Sequence, residues 1–182
     1  MNNLIKKAIA ECLGTFVLVF VACGVALATA GELVSTSFAF GLTIVAMAYS
    51  IGRISGCHIN PAVSLGCLLT KRMTVKEFLV YVSSQIVGGI LGAILIFGLF
   101  KMGDFPVDYA AGASNFSLTH DYSVGGVIGA LITEVVLTFI FVLVILNVTE
   151  NKGKQVYPKE LNAPFFNASN NLKSSWCAHT ST

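Results

Sequence analysis

Charge is what this sequence has least of. Asp, Glu, Lys and Arg make up 11% of its 182 residues, against about 25% in a soluble domain. That shortage points to lipid as the surrounding solvent. The formal net charge of +2 is too small to mark a nucleic-acid partner. Sustained polar–apolar alternation is missing, which argues against a membrane β-barrel. CxxC pairs are missing too. The five cysteines, Cys12, Cys23, Cys57, Cys67 and Cys177, outline neither a disulfide framework nor a metal site. Cys57 and His58 are adjacent, a poor spacing for zinc. No paired carboxylates and no nucleophile with a neighbouring base suggest an intramembrane enzyme. No metal and no cofactor are expected.

Long apolar runs are what the sequence has in plenty. Four of them, at about 5–30, 33–51, 78–100 and 124–148, reach the roughly 20 residues that a spanning helix needs. The first follows Lys6 and Lys7 as a signal peptide would. Its apolar part is too long for a typical h-region and more spans follow, so it is read as retained. With the N-terminus in the cytoplasm, the inside carries Lys6, Lys7, Arg53, Lys71, Arg72, Lys76, Lys152, Lys154, Lys159 and Lys173. The outside carries only Lys101, with Glu32, Asp104, Asp108 and Asp121. This bias sets the orientation and puts both termini in the cytoplasm.

Between the second and third runs stands SGCHINPAVSLG, residues 55–66. Asn60 is a preferred helix N-cap, and Pro61 suits the first helical position, where its missing N–H is not needed. A helix over 60–70 would be about 16 Å long, roughly half the hydrocarbon thickness. Lys71 and Arg72 hold its far end at the cytoplasmic surface. Residues 52–59 would then run into the membrane as irregular backbone, tolerated at that depth only when buried in protein or lining a wet cavity. In that arrangement the carbonyls of Gly56, Cys57, His58 and Ile59 face a file of solute. The other arrangement is a capped helix lying at the membrane surface. Against it, Ala62, Val63, Leu65, Cys67, Leu68 and Leu69 leave no polar face.

The stretch resembles the first Asn-Pro-Ala box of the aquaporin, or major intrinsic protein, family. AECLGTF, AFGLT, GRISGCHINPAV and YVSSQIVGGILGA match that family in order. The resemblance covers residues 1 to about 153 and is nearest to bacterial water channels. It implies an all-α membrane protein with an aquaporin-like first repeat, made of three spans plus a re-entrant half-helix, followed by a fourth span. It also implies inverted repeats with the solute pathway between them. Glu11, Thr15 and Phe16 of the first span recur as Glu134, Thr138 and Phe139, an offset of 123 residues. At that offset Asn60 falls at 183, one past the last residue. The region that should repeat the second span reads VYPKELNAPFFNASNNLKS, which is too polar for lipid. The second repeat is therefore expected to be incomplete. Residues 154–182 are read as a polar, disordered tail. A frameshift or early stop is one account of it, and a docking tail is another.

The resemblance assigns roles to particular residues. Asn60, Pro61 and Ala62 form the box, with the Asn60 amide donating to water. Phe40 matches the family's outer constriction; phenylalanine there suits a water channel, where glycerol facilitators tend to carry tryptophan. Glu11 and Glu134 brace the re-entrant loops, and Glu134 is left without its loop. His58 is read as a bracing residue rather than a ligand. Two GxxxG patterns, Gly88 with Gly92 and Gly125 with Gly129, suit close helix packing. The implied function is passive water conduction in the inner membrane, by homotetramers when the chain is complete. The partners are lipid and water. The 182-residue chain is expected not to conduct. A glycerol or small neutral solute facilitator and an inert membrane fragment are the alternatives.

Overall fold

The computed structural model describes residues 3–103 and 124–150. Within these residues six α-helices run in order: α1 Asn3–Leu18, α2 Gly24–Ala28, α3 Leu33–Ile51, α4 Pro61–Leu69, α5 Val75–Met102 and α6 Val124–Glu150. A π-helical turn, Val19–Cys23, joins α1 to α2, so the first span is one helical rod with a widened turn inside it. Among the described residues four stretches are long and apolar enough to cross a membrane: Asn3–Ala28, Leu33–Ile51, Val75–Met102 and Val124–Thr149. Among the described residues there is no strand. The chain divides into two units, Met1–Val144 and Ile145–Thr182. Of the second, only the last turns of α6 are described.

The helix ends follow local chemistry. Two of them close with the same C-terminal motif. Ala30 (φ 51°) and Lys71 (φ 59°) take the left-handed conformation just past α2 and α4. The next amides reach back, Gly31 N to Ala26 O at 2.7 Å and Arg72 N to Cys67 O at 2.8 Å. These bonds satisfy carbonyls that a helix end would otherwise leave open. The Glu32 carboxylate caps α3 by accepting from Val34 N and Ser35 N. Thr74 and Glu77 cap α5 reciprocally, a capping box. Glu77 also pairs with Lys7 Nζ at 3.0 Å, tying the start of α5 to α1.

These caps explain where the helices differ from the hydropathy reading. The first span ends at Ala28 rather than residue 30, because residues 29–31 form the turn that closes α2. The third begins at Val75 and ends at Met102, beyond both edges of the apolar run. Its first turn holds Lys76 and Glu77, polar residues that the capping box carries into the helix. The short helix occupies Pro61–Leu69, with Asn60 and Thr70 as its caps.

The first and third spans pack most intimately. On α5, Tyr81, Gln85, Gly88, Gly92 and Ile96 are buried, a stripe at helical spacing. A Cβ on Gly88 would strike the Cys12 carbonyl oxygen of α1, and one on Gly92 would sit 2.9 Å from the Phe16 carbonyl. Glycine is what lets the two backbones touch. On the other side of α1, Ala10, Met47, Ile51 and Ile59 form a small apolar core. Gly14 makes room for it: an added Cβ would lie 2.6 Å from both Ile51 Cδ1 and Ile59 Cγ2. Outward-facing residues of α3 and α5 such as Phe38, Leu42, Ile86, Ile90 and Ile94 are exposed, as a lipid-facing surface would be. Along α6, none of residues 124–149 is buried. Gly129 has nothing within 4 Å of an added Cβ. The tail at 154–182, Cys177 and the acidic residues Asp104, Asp108 and Asp121 lie outside the described residues.

Candidate functional site

After α3 the chain loses helical form and runs through residues 52–60 before Pro61 begins α4. This stretch has an unusual backbone. Gly56, Cys57 and Ile59 all have positive φ, at 96°, 53° and 42°. For Cys57 and above all β-branched Ile59 such a conformation is uncommon. Each costs on the order of 1–3 kcal/mol and persists only where the surroundings over-determine it.

The surroundings do so through one carboxylate. Glu11 is 0% exposed and four donors converge on it. Ser55 Oγ and His58 N donate to Oε1 at 2.5 and 2.9 Å. Ile59 N and Gln85 Nε2 donate to Oε2 at 2.7 and 2.8 Å. Two donors reach each of its two oxygens, so neither oxygen is left open. Two successive amides of the irregular segment are therefore held from α1, and the same carboxylate ties in α5. Ser55 is itself fixed twice more: it accepts from Cys57 N at 3.1 Å, and its carbonyl accepts from Tyr81 Oη at 2.6 Å.

The segment then hands over to α4. The Asn60 side chain accepts from Ala62 N through Oδ1 at 2.8 Å, the bond an N-cap makes. That contact fixes which way the amide is turned. Nδ2 is left pointing away from the cap, and no acceptor among the described residues takes its protons. The Asn60 carbonyl begins the helix by accepting from Ser64 N at 3.1 Å. The helix N-terminus adds the positive end of its dipole at the same place.

The other candidates fall in different positions. His58 turns its ring to Ser64 and Cys67 and tilts it against Tyr81, with ring centroids 5.0 Å apart. Phe40 sits in α3, 37% exposed, outside the hydrogen-bonded cluster. Glu134 lies in α6, exposed, with no side-chain hydrogen bond among the described residues. Among those residues no cluster of three or more His, Cys, Asp or Glu could hold a metal. Four partners went unnoticed in the sequence: Ser55, Ser64, Tyr81 and Gln85. The signal for two of them was present, since Tyr81 and Gln85 share helical spacing with Gly88 and Gly92.

Comparison with known proteins places this arrangement in a family. The model of the Major intrinsic protein family matches residues 1–164. Aquaporin Z of Rhodopseudomonas palustris is 42% identical over 155 residues, covering 81% of this chain and 64% of that protein. Aquaporin Z of Photorhabdus laumondii is 40% identical over 160 residues, with 82% and 68% covered. The chain thus spans about two thirds of the length of these relatives. Among solved structures, the aquaglyceroporin from Plasmodium falciparum matches with a TM-score of 0.53 and 25% identity, over 59% of this chain and 48% of that one. With four membrane-length helices, an Asn-Pro-Ala box at the head of a short helix and these relatives, the chain is a multi-pass membrane protein and belongs to the major intrinsic protein family.

Proposed function

We propose that residues 3–103 build one half of a passive water pathway, and that the 182-residue chain by itself does not conduct. The observation that carries the first part is the Asn60 amide. Its carbonyl is occupied by the helix cap, so Nδ2 is presented as a donor, already oriented, at the positive end of α4. A water that accepts this donor turns its own protons away along the file. Dipole ends and lining donors are the already described basis of selectivity in aquaporin-type pores. The carbonyls of Gly56, Cys57, His58 and Ile59 supply acceptors on the approach. Phe40 narrows the outer end. Glu11 is the brace that keeps the segment irregular, and Glu134 is the corresponding carboxylate for a second such segment.

The second part follows from counting walls. Among the described residues one short helix offers one side of a midplane site, and the four spans leave the pathway open to lipid. The chain sits in the cell's inner membrane with both termini in the cytoplasm. With a second repeat the chain would assemble as homotetramers. An inert membrane fragment is the alternative reading.

Glycerol or another small neutral solute is the second reading for the pathway, favoured by the solved aquaglyceroporin that this chain is similar to. Stopped-flow light scattering on vesicles containing the chain tests all of this. Osmotic water permeability should equal that of empty vesicles, and a higher value would refute the non-conducting assignment. If permeability is raised, faster glycerol equilibration would favour the second reading over water.

A further inference from the structure

The cluster behind the irregular segment contains a residue with no role so far. Ser64 lies one turn into α4, is 0% exposed, and has three polar neighbours. Gln85 Nε2 lies 3.1 Å from its Oγ, His58 Nδ1 3.1 Å and the Asn60 carbonyl oxygen 3.3 Å. A serine hydroxyl has one proton to give and two lone pairs to fill, so these contacts can be sorted by direction.

Gln85 donates. Its Nε2 also faces the Glu11 carboxylate, whose other three contacts all come from donors, so the amide nitrogen and not its oxygen belongs on that side. Ser64 therefore accepts from Gln85 and must donate elsewhere. The Asn60 carbonyl already accepts from Ser64 N at 3.1 Å. At 3.3 Å from Oγ it is a second acceptor within reach, but a longer one than His58 Nδ1 at 3.1 Å. The nearer acceptor is the lone pair of His58 Nδ1. If Nδ1 accepts, the ring carries its proton on Nε2, which faces Cys67 Sγ at 3.6 Å. A directed chain results, from Gln85 to Ser64 to His58 to Cys67.

We infer that Ser64 is a positioning residue that fixes the His58 imidazole as the Nε2–H tautomer. The consequence reaches the irregular segment. His58 N and Ile59 N are held by Glu11, while the ring is held by Ser64 below, Cys67 beyond and Tyr81 alongside. The residue is clamped at both backbone and side chain, with its titratable ring directed into the packed side of the cluster. Which ring nitrogen carries the proton is set by the bond the other nitrogen makes. The inference stands on this geometry alone and holds whether or not the chain conducts.

Nitrogen-15 NMR of the full chain in detergent micelles tests it. His120 and His179 are changed to Gln so that His58 gives the only histidine signals. At pH about 8.5, above the ordinary histidine value of about 6.5, Nε2 should show a directly bonded proton and Nδ1 none. Ser64→Ala should replace that single pattern with a mixture of both tautomers, and Ser64→Thr, which keeps a hydroxyl, should restore it. Should Ser64→Ala fail to fold, Ser64→Cys, similar in size but a weak donor, takes its place with the same expectation. A proton on Nδ1 in the parent chain overturns the inference. So does an unchanged single pattern in Ser64→Ala or, in its place, Ser64→Cys.

Discussion

Glu11 Oε2 lies 2.7 Å from Ile59 N, joining the middle of the first span to the last residue before the Asn-Pro-Ala box. The two residues are 48 positions apart in sequence, and the bond links a membrane-spanning helix to backbone that no helix or sheet supports. In the absence of such an acceptor, a buried amide in apolar surroundings costs several times what a typical hydrogen bond contributes.

Glu11→Gln is the cleanest probe of that brace, since it replaces one acceptor oxygen by an NH2 group with almost no change in volume. Whichever way the new amide is turned, its NH2 group faces two donors: Ser55 Oγ with His58 N, or Ile59 N with Gln85 Nε2. Each stranded donor costs about 1–3 kcal/mol. The variant should therefore lose about 2–5 kcal/mol of stability on chemical denaturation in detergent. A midpoint within experimental error of the parent would show that the carboxylate is not what holds the segment.

Gly88 and Gly98 make a matched pair on α5. Gly88→Ala places a methyl group against the Cys12 carbonyl, and overpacking of this kind typically costs about 1–3 kcal/mol. Gly98 has nothing within 4 Å, so Gly98→Ala should be neutral or raise stability by about 0.5–1 kcal/mol through helix propensity. Thermal denaturation of both variants in one detergent provides the comparison. Equal effects would mean that α1 and α5 do not touch at Gly88.

Glu32 gives a pH-dependent prediction at the N-terminal end of α3. Its carboxyl is held below the ordinary range, first by the Ser35 side chain and then by the backbone amides of Ser35 and Val34. A group whose folded value is depressed stabilises the fold above its unfolded value, about 4.3. That contribution is lost as pH falls through the lower folded value. A carbon-13 titration of the Glu32 carboxyl should show a midpoint below that of an unstructured peptide. Ser35→Ala should raise it. A midpoint at the peptide value would show that the cap is not formed.

The parts of the fold that depend on composition were readable in advance. Leu33–Ile51 coincides with its apolar run because a cap residue stands at each edge, Glu32 before and Gly52 after. Asn60 and Pro61 were conspicuous because both are poor residues inside an apolar helix. Other features were hidden for physical reasons. Cys57 and Ile59 give no sign of left-handed backbone, since neither residue prefers it, and the preference comes from Glu11 across space. The π-helical turn at Val19–Cys23 has no proline or glycine pair to announce it. Gln85 and Ser64 look like ordinary polar residues among apolar ones, and their value lies in which atoms they meet.

The left-handed Ile59 also constrains the order in which the molecule can come together. Alone in lipid, residues 56–59 would have a strained backbone and two amides with no acceptor. The segment can settle only once Glu11 is in place, and its remaining ties come from Gln85 and Tyr81, which emerge from synthesis later. The dip is therefore a late event, following the docking of the third span on the first. A nascent chain released before Val75 should show faster hydrogen exchange at the Ile59 amide than the finished molecule, where that amide is buried and bonded to Glu11.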